Sequence, residues 1–206
     1  MKYEYFNSII KMLVYAIFLM SIFGILHFDA NQEGKIFNEN SPTEWSQVIL
    51  IFLTAVTLYK SGKVDKRNSS LMRLFIGILS IFCIREFDGF LDKYVFDGAW
   101  QIFVLTILFL LTLFIYKERN AIVKSTNEFV KHCSFGIMQS GFLILMVFSR
   151  LFGQKVFWHS VMQEAYLRSV KNVAEESLEL LGYSLIFIGS IEFLLSRYND
   201  KKMMMD

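Results

Sequence analysis

Residues 80–100 read SIFCIREFDGFLDKYVFDGAW. An apolar run that starts near Leu71 turns polar at Arg85 and Glu86, and Asp88 and Asp92 follow closely. Crossing a bilayer takes about 20 mostly apolar residues at a rise of about 1.5 Å each. Arg85 comes twelve residues after Arg73, about 18 Å along a helix whose hydrocarbon surroundings are about 30 Å thick. The charges therefore arrive before the helix could have left the lipid. Charge at that depth is costly unless it is paired or hydrated, so these side chains are expected to face a protein interior or a water-filled cavity.

The rest of the chain supports a membrane setting. Of its 206 residues, 54% are hydrophobic, and they fall in blocks rather than being spread evenly. Six blocks are long enough to span, or nearly so: about 9–28, 45–60, 70–90, 99–116, 133–152 and 174–196. The expected fold is all-α: a single polytopic transmembrane helical bundle over residues 1–206. The first block continues to about Phe28 without a small-residue cleavage site and is expected to be a retained helix.

Charge in the connections sets the expected orientation. The first connection is acidic, with Asp29, Glu33, Glu39 and Glu44 against Lys35. The second is basic, with Lys60, Lys63, Lys66, Arg67 and Arg73 against Asp65. The third is acidic and the fourth basic, which gives six spans with both termini cytoplasmic. In a bacterium this would be the inner membrane. The fifth connection dissents, with Arg150, Lys155, Arg168 and Lys171 on the expected outer side, so a five-span chain or a re-entrant segment near 152–165 is the competing topology. Trp45, Trp100 and Trp158 fall at expected outer ends, and Tyr59, Tyr116 and Tyr198 at inner ends, as interfacial aromatics do.

Local chemistry marks some boundaries. Ser41-Pro42-Thr43-Glu44 reads as a capping box with proline at the first helical position. The stretch Lys60–Ser70 reads as a basic loop lying against anionic headgroups. No glycine-rich phosphate loop accompanies it, and the net charge is only +2, so nucleic acid is not an expected partner; the lipid bilayer is. Cys83 and Cys133 are expected near opposite faces, too far apart for a disulfide. The closing MMMD is expected to fray.

The candidate site comes from two spans. In the third, Arg85, Asp88 and Asp92 would share a helical face with Gly89, and Glu86 lies on the adjacent face. In the sixth, KNVAEESLELLGYSLIFIGSIEF (171–193), a face runs through Arg168, Asn172, Glu175, Glu179, Gly182 and Gly189, with Glu176 beside it. Counting about 30 Å back from Arg197 reaches Ser177, which puts Glu179 inside the expected outer boundary and Glu175 and Glu176 at it. Arg85, Glu86, Asp88, Asp92, Glu175, Glu176 and Glu179 are thus expected at one depth, as an outward-facing vestibule. Arg150 and Arg168 are candidate contacts for an anion or a headgroup.

Three uses fit such a set. Glu86, Asp88, Glu175 and Glu179 are candidate ligands for a hard divalent cation, the one cofactor this chemistry suggests. Crowded acids can also carry protons, so binding or passage of a small cation or proton is the leading reading. A membrane-embedded, metal-dependent hydrolase or transferase acting on lipid is the second. The third is a non-catalytic membrane subunit or effector that forms a homo-oligomer, in which the charges are interhelical pairs. Weaker signals favour plain packing: His132, His27 and His159 lack a metal-ligand spacing, and Gln139, Ser140 and Gly141 suit helix contact.

Overall fold

A computed structural model describes residues 2–31 and 41–203. Glu33, Lys35 and Glu39 of the acidic connection, and most of the MMMD tail, lie outside the described residues. The described residues are helical with no strand. The principal helices are α1 (Lys2–Ala30), α2 (Pro42–Val64), α3 (Ser69–Glu86), α4 (Asp88–Tyr94), α5 (Ala99–Phe129), α6 (Cys133–Leu143), α7 (Ser149–Phe152), α8 (Lys155–Met162) and α9 (Arg168–Met203). Among the described residues, six helical stretches are long and apolar enough to cross a membrane: Ser8–Ala30, Pro42–Val64, Lys66–Glu86, Ala99–Phe129, Cys133–Phe152 and Arg168–Met203. Their length and composition fit a multi-span integral membrane protein.

The structure differs from the sequence expectation at the second, third and fourth spans. The second span starts where expected, with the Glu44 N–H donating to Ser41 Oγ at 3.3 Å, but it runs on to Val64. The basic stretch Lys60–Ser70 is therefore a tight helical corner rather than a loop. Asp65 builds it: its carboxylate accepts from the Arg67 N–H at 3.1 Å and from Asn68 Nδ2 at 2.9 Å, which satisfies donors that a helix start leaves open.

The third span ends at Glu86. Phe87 leaves helical geometry (φ −103, ψ 15) and donates to Ile84 O at 3.2 Å, a tighter 3₁₀-type closure. The shared face through Arg85, Asp88 and Asp92 is interrupted there, and Asp88 begins the short helix α4. The fourth span is longer than the apolar block: α5 has 31 residues, about 46 Å at helical rise. Between the fifth and sixth spans, Gly153 and Gln154 break the helix and α8 follows as a separate eight-residue helix.

Contacts divide the chain into two compact units. The first comprises residues 1–46 and 141–184. Leu145, Leu180 and Tyr183 are buried in it, and α1 adds Ile22. The rest of α1 shows Met12, Leu13, Ile17, Met20 and Phe23 to the surroundings, as a lipid-facing helix would. Asp29 is fully buried and accepts from Thr43 Oγ1 at 2.6 Å, tying the end of α1 to the start of α2. At Gly182 a Cβ would lie 3.1 Å from the Gly141 carbonyl and 2.6 Å from Leu145 Cγ, so only glycine permits this helix approach.

The second unit comprises residues 47–140 and 185–206. Its core is built from Leu50, Leu58, Met72, Leu79, Met138 and Phe193, with α3 packed along α5. Phe129 is its aromatic hub, with ring centroids 5.0 Å from Phe193 and 5.5 Å from Phe75, a separation typical of favourable ring pairs. Thr57 and Ser190 share a 2.6 Å hydrogen bond between α2 and α9. Ser125 Oγ donates to the Arg67 carbonyl at 2.7 Å, which pins the Asp65 corner to α5.

Candidate functional site

The candidate residues occur in both units. Arg150, Arg168, Glu175, Glu176 and Glu179 belong to the first, and Arg85, Glu86, Asp88 and Asp92 to the second.

In the first unit, Glu179 is 3% exposed and stands at the start of the apolar stretch of α9, after Glu175 and Glu176. Its carboxylate accepts a hydrogen bond from Arg150, and Ser149 Oγ reaches it at 3.4 Å. Both partners follow directly after a π-helical turn, Ile144–Phe148. Such widened turns are frequent at functional sites. One turn along α9, Glu175 accepts from Lys171 Nζ at 2.6 Å and lies 4.0 Å from Arg150. The Glu175 carboxylate rests on Gly153, where an added Cβ would come within 2.5 Å of it. Two acids and two bases thus form one neutral chain: Lys171, Glu175, Arg150, Glu179.

The geometry is asymmetric. The Arg150 side chain is 46% exposed, whereas the carboxylate it covers is buried. Arg150 is therefore a partly solvated cation capping a desolvated anion. Glu176 is also engaged in interactions. Arg168, at the first turn of α9, is exposed.

In the second unit, Arg85 donates to its neighbour Glu86 at 3.2 Å, and the Glu86 side chain is nearly buried, at 7% exposed. Arg85 and Glu86 have further interactions besides this one. The interruption at Phe87 gives the two aspartates local structural work. Asp88 is exposed and accepts from the Gly89 N–H at 2.6 Å. Asp92 accepts from the Gly98 N–H at 3.0 Å. Gly98 has φ +82, a left-handed conformation that glycine adopts without penalty, and Asp92 holds this turn into α5.

Among the described residues, no three His, Cys, Asp or Glu side chains gather as a metal site would require. The sequence reading passed over Lys171, Ser149 and Gly153 as partners of the acids. The Lys171–Glu175 pair has the i,i+4 spacing of a helical ion pair and was visible in the sequence. The π-helical turn that precedes Ser149 and Arg150 had no such signal.

No protein-family model, curated protein or solved structure matches this chain.

Proposed function

We propose that this chain is a multi-pass integral membrane protein with both termini cytoplasmic, whose intramembrane carboxylate and arginine residues bind or pass a small cation or proton. The proposed binding residues fall in two sets: Glu175, Glu176 and Glu179 in the first unit, where Glu179 is the central group and Arg150 its resident counter-ion, and Arg85, Glu86, Asp88 and Asp92 in the second. The carrying observation is the buried Glu179 carboxylate covered by a half-exposed arginine. An ionisable residue within a membrane-spanning helix points to a functional site by default. Withdrawal of Arg150 into solvent would leave an anionic position for an incoming cation or proton, and its return would expel that cation. The site faces outward in this reading. Arg85 plays the corresponding part for Glu86.

A second reading rests on the ion pairs that Arg150 makes with Glu179 and Glu175 of α9, with Lys171 completing the chain from within α9. There the charges lock helices together in a non-catalytic membrane subunit. The lipid hydrolase or transferase reading draws no support from the gathered carboxylates, since no set of three forms among the described residues.

Purified protein in sealed liposomes, tested for dissipation of imposed proton, Na⁺, K⁺ or Mg²⁺ gradients, separates the first two. Flux above that of empty liposomes, lost in Glu179→Gln protein that still folds, supports the cation site. Absence of flux with wild-type protein, together with loss of folded protein in Glu179→Gln, supports the structural pair.

A further inference from the structure

A different part of the second unit carries a further assignment. The corner between α2 and α3 and the last turns of α9 enclose a cavity of about 270 Å³ lined by Val64, Asp65, Arg67, Arg197, Asp200 and Lys201. Three cations and two carboxylates line it, leaving one net positive charge.

The ion pairs inside it are ordered. Asp65 takes Arg67 at 3.2 Å and Arg197 at 3.6 Å, and Arg197 also takes Asp200 at 3.1 Å. Burial works to raise the Asp65 carboxyl pKa, but hydrogen bonds from Arg67 and Asn68 and the Arg67 charge outweigh it and hold the value below the usual one. Asp65 thus remains an anion that fixes both arginines in place. The arrangement still has spare donor capacity. Arg197 Nε is buried without a hydrogen-bond partner among the described residues. Arg67 has a side chain 59% exposed, and Lys201 is exposed at the rim. A buried donor lacking an acceptor is costly, and a guanidinium presents five N–H groups, of which one carboxylate can use only part.

The position of the cavity narrows the ligand. Asp65 sits between two stretches long and apolar enough to cross a membrane, Pro42–Val64 and Lys66–Glu86, and Arg197 and Lys201 lie in the last turns of a third. With those stretches crossing a bilayer, this corner falls at the level of phospholipid headgroups. Tyr59 and Tyr198, both exposed, lie on the adjoining turns of the same helices, as interfacial aromatics do. Lys60, Lys63, Lys66, Arg73 and Lys202 add positive charge in the flanking sequence.

We propose that this cavity binds a phosphate group, with Arg67, Arg197 and Lys201 as its donors, and that an anionic phospholipid headgroup at the membrane surface presents it. Arg197 offers its unused Nε–H, Arg67 its exposed guanidinium edge and Lys201 a mobile charge. Guanidinium groups suit phosphate oxygens because they can donate in parallel pairs. Asp65 and Asp200 position the arginines and limit the excess charge, so that the site prefers a singly or doubly charged anion over a polyanion.

The test uses the full chain in a neutral detergent. Native mass spectrometry would count retained phosphatidylglycerol against phosphatidylcholine, and a parallel titration with inorganic phosphate would read the thermal midpoint. Each basic residue near a membrane surface contributes about 1 kcal/mol to anionic lipid binding, so Lys201→Gln should weaken phosphatidylglycerol retention about fivefold and Arg67→Gln/Lys201→Gln more than tenfold. Both substitutions fall on exposed side chains, which leaves Arg197 and its ion pairs to hold the fold. Phosphatidylglycerol retention without a phosphate-induced thermal shift identifies the headgroup as the source. A shift with inorganic phosphate that is lost in the double variant upholds the phosphate site but assigns it to a free anion. Equal retention of the two lipids with no phosphate shift, or phosphatidylglycerol binding unaffected by the double substitution, would overturn the proposal.

Discussion

Arg150, nearly half exposed, reaches back to a Glu179 carboxylate that solvent scarcely touches. The relationship has a direct energetic consequence. Removing the arginine strands a buried anion, whereas removing both charges does not. Arg150→Gln should therefore destabilise the protein by about 2–3 kcal/mol, somewhat under the 3–5 of a fully buried pair because Arg150 is partly solvated. The double variant Arg150→Gln/Glu179→Gln should regain more than half of that loss. Thermal unfolding of the four proteins of the cycle measures the coupling, and additive losses would mean that the pair contributes nothing as a pair.

Close helix approach makes a second, independent prediction. At Gly189 a Cβ would lie 3.1 Å from the Met138 N and 3.2 Å from the Ser134 carbonyl oxygen, both backbone atoms, and 2.5 Å from Met138 Cγ. The methionine side chain can move aside, but the backbone cannot. Gly189→Val should cost about 2 kcal/mol or more, in the range of overpacked cores, with Gly189→Ala less damaging. Gly136, where an added Cβ meets nothing within 4 Å, is the control position and should tolerate alanine. Melting temperatures in detergent check both.

Stability should depend on pH through Asp65. Its folded pKa lies below the ordinary value of 3.8, with burial opposed and outweighed by Arg67 and Asn68. A carboxylate with a depressed folded pKa contributes stability that is fully present above its unfolded pKa and is lost as pH falls through the folded value. Wild-type protein should thus lose thermal stability as pH drops below about 4, and Asp65→Asn should be less stable than wild type at neutral pH but lose less on acidification. Parallel pH profiles of the two proteins read this difference.

The proposed orientation can be tested with a thiol. Cys133 is free and exposed, and Cys83 is free and only partly exposed. With cytoplasmic termini, the start of α6 at Cys133 faces the cytoplasm. In a Cys83→Ala background, a membrane-impermeant maleimide should label Cys133 in inside-out vesicles and leave it unlabelled in intact cells. Labelling in intact cells would reverse the orientation.

The spans were legible because their signal is one of composition. A run of about 20 apolar residues admits few alternatives, and six such helices are found. The cap at Ser41 was legible for a similar reason: a hydroxyl, a proline and a glutamate at fixed offsets have one economical use. The breaks were harder to read. The interruption at Phe87 has no proline or glycine at the break itself, so the sequence pattern ran a helical face straight through Arg85, Asp88 and Asp92. Asp92 then proved to be the acceptor for a glycine N–H six residues on, a role that depends on the left-handed turn at Gly98. The run of charges at Lys60–Ser70 reads as a loop at the headgroups, whereas Asp65 uses them to turn the chain within three residues.

The acids of the sixth span show what residue type and depth can and cannot convey. Their position within an apolar stretch marked Glu179 as unusual, and it is buried. Their partners depend on which residues of the fifth span meet them, and a π-helical turn lies just before those residues. Periodicity at 3.6 residues carries no information about a widened turn, so the pairing with Arg150 and Ser149 was not available from spacing.

We propose that Glu179 serves a bound cation or proton rather than only its arginine. The most direct measurement is gradient dissipation in liposomes containing wild-type, Glu179→Gln and Glu179→Asp proteins, each first shown to be folded by its melting transition. The claim predicts flux with wild type, at least a tenfold loss with Glu179→Gln, and partial retention with Glu179→Asp. Flux unchanged in folded Glu179→Gln protein, or no flux with wild type under any of the imposed gradients, would contradict it.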